Sequence, residues 1–380
     1  MEPKVSSELS VEVTIDASST TLPSDCTSNK SRLIGRIGKH FVSVVLANFH
    51  AGYFRISMSL CAQVMLWNNL IRFTRENNDP HMRLVLPMLP SIACTLLWSM
   101  ALVILLSLSL VYILRCYYHF DKVKLEFLNH VGVNYLFAPW MSCLFLLQLP
   151  PNFLVPRNSI YKQILWWVSV VPIIMLDIKI YGQWFTKGKR FLSRVANPTN
   201  QLSVIANLVG AKAAIYMGCV QIAVCLFSLG MVHYLVLFVT LYQRLPMSNG
   251  VSTMLRPVFF LFTATPSMAS LAWSSITGSF GNASKMLFFL SLFLFMSLIC
   301  RPSLFKKSMK KFRIAWWAYS FPLTLLALTS MEYAQAVKEE FAQTLAVLLS
   351  VVSILVSFVL LILTTVKFNK LFLANELIIN

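Results

Sequence analysis

Between Ala47 and Lys370 the chain carries ten apolar stretches of membrane-spanning length, and its basic residues fall almost entirely in every second connection between them. A bilayer's hydrocarbon core of roughly 30 Å needs about 20 apolar residues of helix. The stretches run over 49–70, 88–114, 129–149, 162–184, 199–217, 219–243, 256–275, 286–300, 312–333 and 343–366. The expected fold is an all-α polytopic membrane protein with ten transmembrane helices.

With the N-terminus in the cytosol, the inside segments hold 22 of the 32 Lys and Arg residues and the outside loops hold 7. The remaining three, Arg55, Lys179 and Lys212, lie within the apolar runs. Because basic loops are retained on the cytosolic side, both termini are expected there. A formal charge of +18 raises nucleic acid as a partner. However, the charges sit in short loops beside apolar spans and form no continuous patch, so the lipid bilayer with its anionic inner leaflet is the expected partner, and no nucleic acid is.

Residues 1–30 are rich in Ser and Thr and almost free of large apolar side chains. They cannot build a core and read as a disordered cytosolic N-terminus without a secretory apolar region. In 31–48, Leu33, Ile34, Ile37, Phe41, Val44 and Val45 share one helical face, with Arg32, Arg36 and Lys39 elsewhere, which suits an amphipathic interfacial segment. The ten-helix domain then occupies 49–370, and 371–380 is a short cytosolic C-terminus. The eight cysteines show no metal-ligand spacing and are expected as small buried hydrophobes. No metal or cofactor is expected.

Odd and even spans differ. Pro139, Pro266 and Pro322 each lie about ten residues from the inner end of an odd span, and the fifth span has Gly210 at a similar level. Among even spans only Pro172 is comparably central. Proline removes a backbone hydrogen bond and bends a helix, and a membrane tolerates the freed carbonyl only against protein or a watery cavity. One meaning of the shared depth is a ring of kinked helices around an aqueous path; the other is the general frequency of proline in membrane helices.

Charges within spans cost roughly 2.5–3.5 kcal/mol each on insertion scales, so each needs a partner or a purpose. Arg55 and Asp177 lie at similar heights in the first and fourth spans and are expected to form a structural ion pair. Lys179, two residues from Asp177, faces elsewhere on the helix and is free to reach the inner interface. Lys212 has no carboxylate at matching depth and is the residue best suited to attract an anion. Acidic groups are scarce in the spans, essentially Asp177 and Glu332, which argues against a cation-selective carboxylate ring. His233 is either a hydrogen-bonded packing residue or a titrating switch. No cluster of His and acidic residues at one depth supports a membrane enzyme such as an acyltransferase.

The ninth span begins FRIAWWAYSFPLT (312–324) and sets Phe321 immediately before its central proline. A bulky ring at a kink can close a narrow pore by steric block and dewetting; alternatively it packs between helices. Trp316 and Trp317 resemble an interfacial aromatic belt.

The segment AWWAYSFPLT (315–324) resembles the plant slow-type anion channel family, which is related to bacterial tellurite-resistance and dicarboxylate transporters. So do FHAGYFRI (49–56), NYLFAPW (134–140), KIYGQW (179–184), VANP (195–198), VTLYQRLP (239–246) and ATPS (264–267), in family order. The resemblance covers about residues 40–370. It implies five helical hairpins around a central pore lined by the odd helices, assembled as a homotrimer or as a heterotrimer with family members, in the plasma membrane. It also implies that Phe321 occludes the pore, helped by an aromatic residue of the third helix placed at Phe137.

Two departures stand out. The long cytosolic tails through which kinases activate some members are nearly absent, and Lys212 stands where an uncharged residue is usual in the best-known member. The expected function is passive conduction of chloride or nitrate, without catalysis. Two alternatives remain: an electrically silent subunit that modulates a longer relative, and a proton-coupled carrier of organic anions such as dicarboxylates, which would need a titrating group such as Asp177 or His233 in its path.

Overall fold

A computed structural model describes residues 45–76, 91–149, 160–186, 196–244, 256–306, 309 and 312–367. Residues 1–30, most of the interfacial segment 31–48, and 371–380 lie outside the described residues. Ten long helices follow in chain order: α1 Phe54–Glu76, α2 Ser91–Tyr118, α3 Phe137–Gln148, α4 Ile160–Thr186 and α5 Gln201–Tyr216, then α6 Val220–Arg244, α7 Leu261–Thr277, α8 Asn282–Ile299, α9 Trp317–Val337 and α10 Glu340–Val366. Among the described residues there is no strand.

The even-numbered helices expose aliphatic and aromatic side chains, for example Leu106 and Ile113 on α2, Val232 on α6 and Phe358 on α10. Such faces are stable only against lipid. The odd-numbered helices bury nearly everything, and much of what they bury is polar, including Ser57, Gln63, Ser142, Asn207, Thr265, Ser320 and Thr324. This division has a consequence for hydropathy. Among the described residues six helices are long and apolar enough to cross a membrane, and a seventh if the bent pair Phe120–Leu128 and Gly132–Gln148 counts as one. The six are α2, α4, α6, α8, α9 and α10. Helices α1, α5 and α7 are not among them: α5 and α7 are only 16 and 17 residues long, and all three bury polar side chains against neighbouring helices.

Each odd helix packs on the even helix that follows it, and each even helix also touches the next odd one. In addition α1 packs on α3, α3 on α5, α5 on α7, α7 on α9 and α9 on α1. The odd helices therefore close a cycle, with the even helices in the outer grooves. Hydroxyls and one amide bind the layers together: the Gln63 amide donates to Thr324 Oγ1 at 2.8 Å and to Ser357 Oγ at 2.6 Å, linking α1, α9 and α10, and Ser267 Oγ lies 2.6 Å from Ser291 Oγ between α7 and α8.

Every odd helix begins with a 3₁₀ turn: Ala51–Tyr53, Gly132–Leu136, Pro198–Asn200, Arg256–Phe260 and Ile314–Trp316. These lead-in turns touch one another in the same cyclic order as their helices. All five inner helices consequently start at one end of the bundle and run parallel. Asn197 shows how such a turn is fixed, since its side-chain oxygen accepts the Thr199 N–H at 2.9 Å.

The same end carries a buried ion pair. Glu126, on the short helix Phe120–Leu128 between α2 and α3, accepts from Arg115 Nη1 at 2.6 Å and from the Ala51 N–H at 2.6 Å. Burial pushes its carboxyl above the usual range, while Arg115 and the Ala51 amide oppose that shift. The short helix and the α3 segment meet at 107°, so the chain turns sharply here before re-entering the bundle.

Gly210, expected at a kink, lies within α5, which is unbroken across it. A Cβ at Gly210 would meet Leu226 at 3.3 Å and Val170 at 3.7 Å, so this face lies against α6 and α4. Gly210→Leu should wedge these helices apart and destabilise the fold by about 1–3 kcal/mol or more, as overpacked cores do. The midpoint of thermal unfolding in detergent measures this, and Gly182→Leu is the matched control, since nothing lies within 4 Å of a Cβ there.

Candidate functional site

Phe321, buried completely on α9, meets Phe145 on α3 edge-to-face, with ring centroids 6.0 Å apart. In the cycle of inner helices α3 and α9 are not neighbours, since α1 stands between them. Their side chains meet by reaching toward the interior. Phe137, the expected partner, is the first residue of α3 and fully buried. It lies two turns, about 12 Å, back toward the lead-in turns. Nothing in the sequence distinguished Phe145 from the other phenylalanines of the spans.

The prolines divide. Pro266 and Pro322 each occupy the sixth position of their helices, α7 and α9, and interrupt the hydrogen-bond ladder. Ser291 Oγ donates to the Thr263 carbonyl at 2.7 Å, within the stretch that Pro266 loosens. Pro139 is in the first turn of α3, where a missing N–H costs no helical bond, so it marks the change from 3₁₀ to α-helix and does not kink a formed helix.

Lys212 does have a carboxylate within reach, contrary to the sequence expectation. Its Nζ lies 3.8 Å from Glu332 Oε1 on α9, and Ser274 Oγ on α7 donates to Glu332 Oε2 at 3.1 Å. Depth counted along sequence put Glu332 too far out, whereas two long side chains cover the difference. Lys212 is two residues, about 200°, round α5 from Gly210, so it faces away from α4 and α6. Gln201, eleven residues earlier on nearly the same face, accepts from Thr265 Oγ1 at 2.8 Å, and its buried amide nitrogen has no partner among the described residues.

The expected Arg55–Asp177 pair does not form. Arg55 Nε donates to the Gly52 carbonyl at 2.9 Å, and its guanidinium lies 4.6 Å from the centre of the Tyr135 ring. Asp177 accepts from Asn207 Nδ2 at 2.7 Å, on the same side of α5 as Gly210, and so sits behind the inner helices and not among them. Similar height had suggested a contact that the order of helices around the bundle forbids. Lys179 reaches the Phe127 carbonyl on the short linking helix. His233 stacks on Tyr181 with centroids 3.4 Å apart, and its Nδ1 lies 2.7 Å from the Leu229 carbonyl, which makes it a packing residue. Trp317 belongs to no interfacial belt: it is fully buried and donates to Thr364 Oγ1 at 3.0 Å. Cys61 is buried, but Cys225 and Cys300 are exposed on lipid-type faces. Among the described residues no group of His, Cys, Asp and Glu could hold a metal ion.

Buried polar inner helices in a cycle, sheathed by apolar outer helices, define a multi-pass membrane protein. The chain belongs to the voltage-dependent anion channel family, whose sequence model matches residues 48–365. It is 56% identical over 326 residues to the S-type anion channel SLAH1 of Arabidopsis thaliana, covering 86% of this chain and 83% of that one. Against S-type anion channel SLAH4 of the same plant the identity is 54% over 327 residues, 86% of each chain. A homologue of the tellurite resistance protein TehA from Haemophilus influenzae is 26% identical over 282 residues, 73% of this chain and 78% of that one. No enzyme family is indicated.

Proposed function

We propose that this chain is an anion channel subunit whose ten helices cross the plasma membrane as five hairpins, with the odd helices lining a central pore and both termini in the cytosol. The ring of lead-in turns carries this assignment. Each helix N-terminus bears roughly half a positive charge, and here five of them meet in one ring. Together with 22 basic residues assigned to the same side, they favour an anion over a cation at the cytosolic mouth. The interior offers hydroxyls, the Gln201 amide nitrogen, which has no partner among the described residues, and the Lys212 ammonium in place of a carboxylate ring, so an anion is held weakly enough to leave again. Passage is passive and blocked in this conformation by Phe321 against Phe145. The transported ions are chloride or nitrate, and the working unit is a trimer of this chain or of this chain with relatives.

Voltage clamp of oocytes expressing the chain at the surface tests the assignment. The reversal potential should follow the chloride or nitrate gradient when external anion is exchanged at constant cation. A reversal potential that tracks sodium or potassium would sink it. Silence of both the wild type and the Phe321→Ala variant would favour the modulating-subunit alternative.

The position of Asp177 separates the channel from a proton-coupled carrier. Because Asp177 lies behind the inner helices, Asp177→Asn should leave anion flux and its pH dependence within about twofold of wild type, a barrier change of roughly 0.4 kcal/mol. Loss of a proton-driven component in that variant would establish the carrier instead.

A further inference from the structure

Phe321 and Glu332 are eleven residues apart on α9. At about 100° per residue they project from the same face, about 16 Å from one another along the axis. The face that turns the gate phenylalanine inward therefore turns Glu332 inward as well, near the end of the bundle opposite the lead-in turns. There it meets Lys212 from α5, a helix separated from α9 by α7, and Ser274 from α7 itself. A carboxylate held between an ammonium and a hydroxyl is an anion in an anion-binding site. The fit is loose: 3.8 Å is well beyond the 2.7–2.9 Å of a charge-assisted hydrogen bond, and among the described residues Lys212 has no closer partner. The lysine side chain is 3% exposed and the glutamate side chain 23%, so the cation is fixed in the protein wall while the carboxylate has room to leave.

We propose that Lys212 and Ser274 form a second anion site at the outer end of the inner bundle, that Glu332 is its built-in occupant, and that a small inorganic anion such as chloride replaces the Glu332 carboxylate there. The pair thus acts as an internal competitor. A permeant ion approaching Lys212 displaces the carboxylate toward solvent and is released when the carboxylate returns. Burial of the ammonium is what makes this possible, because a buried cation left without any counter-ion is strongly disfavoured, so one anion must leave as the other arrives. The inference deepens the channel assignment and rests on it for the term permeant, but the site can be read without conduction.

The test uses the purified full chain in detergent, with thermal unfolding followed across a chloride titration at constant ionic strength against gluconate. Glu332→Gln should convert a weak response into a saturable one with at least tenfold lower half-maximal chloride, and Lys212→Met added to it should abolish that response. Equal chloride dependence in Glu332→Gln and in the double variant would overturn the site, as would a wild-type response matching Glu332→Gln. Should Glu332→Gln fail to fold, Glu332→Asp draws the carboxylate back from Lys212 and is expected to show the same gain; no gain there overturns the proposal. Recording currents in the Phe321→Ala background separates the two ideas. A chloride response that depends on Lys212 without any current fails the channel assignment alone, whereas current with no such response fails the site alone.

Discussion

Phe321→Ala is expected to raise the basal anion current of surface-expressed protein by about tenfold or more. The ring is completely buried at the bundle interior, and its edge-to-face partner Phe145 comes from a helix on the far side of α1. Truncation removes one of the two facing rings and leaves a space beside Pro322, where α9 lacks one hydrogen bond. Every 1.4 kcal/mol taken from the barrier is a tenfold gain in rate, so even partial relief of an apolar constriction is easily measured. Phe145→Ala should raise the current less, because it removes only the support of the ring, an aromatic pair worth about 0.5–1.5 kcal/mol. An unchanged current in Phe321→Ala, with surface expression confirmed, would refute the gate. A larger effect from Phe145→Ala than from Phe321→Ala would assign the block to α3.

Glu126→Ala is expected to destabilise the protein by about 3–5 kcal/mol, the usual cost of stranding one member of a buried ion pair. The loss is double in kind. Arg115 keeps its charge in a buried site without its 2.6 Å partner, and the Ala51 N–H at the start of the first lead-in turn loses its acceptor. Replacing both charged residues in Arg115→Met/Glu126→Met should recover a large part of the stability, since a buried pair exchanged for apolar residues of similar volume is often neutral. Thermal unfolding of the two variants in one detergent decides the matter. A double variant no better than Glu126→Ala would show that the Ala51 contact dominates.

The apolar stretches located the helices along the chain. Each of the ten stretches read from the sequence overlaps one of α1–α10, with the largest offset at the start of α3, and the placing of prolines set the odd spans apart from the even. Contacts across the bundle were illegible. Arg55 and Asp177 share a height, but which residues meet depends on the order of helices around the axis and on where each helix starts its rotation. For the same reason the sequence offers Lys212 no partner, although Glu332 is one of only two acidic residues it shows in the spans. Gly210 was visible as a glycine but not the direction its missing Cβ faces. The lead-in turns escaped because 3₁₀ and α-helix share much of their sequence preference, and only hydrogen bonding tells them apart.

The division between polar inner and apolar outer helices also bears on how the chain enters a bilayer during synthesis. Helices α1, α5 and α7 do not combine the length and apolarity of a self-sufficient span, and partition at the translocon is governed by the apolarity of the individual segment. Each is followed within a few residues, or by a single loop, by a strongly apolar helix against which it packs. Insertion by pairs is the expected result: the second member would supply the retention that the first lacks, and the inner bundle would be complete only once α10, which packs on α9 and touches α1, has left the ribosome.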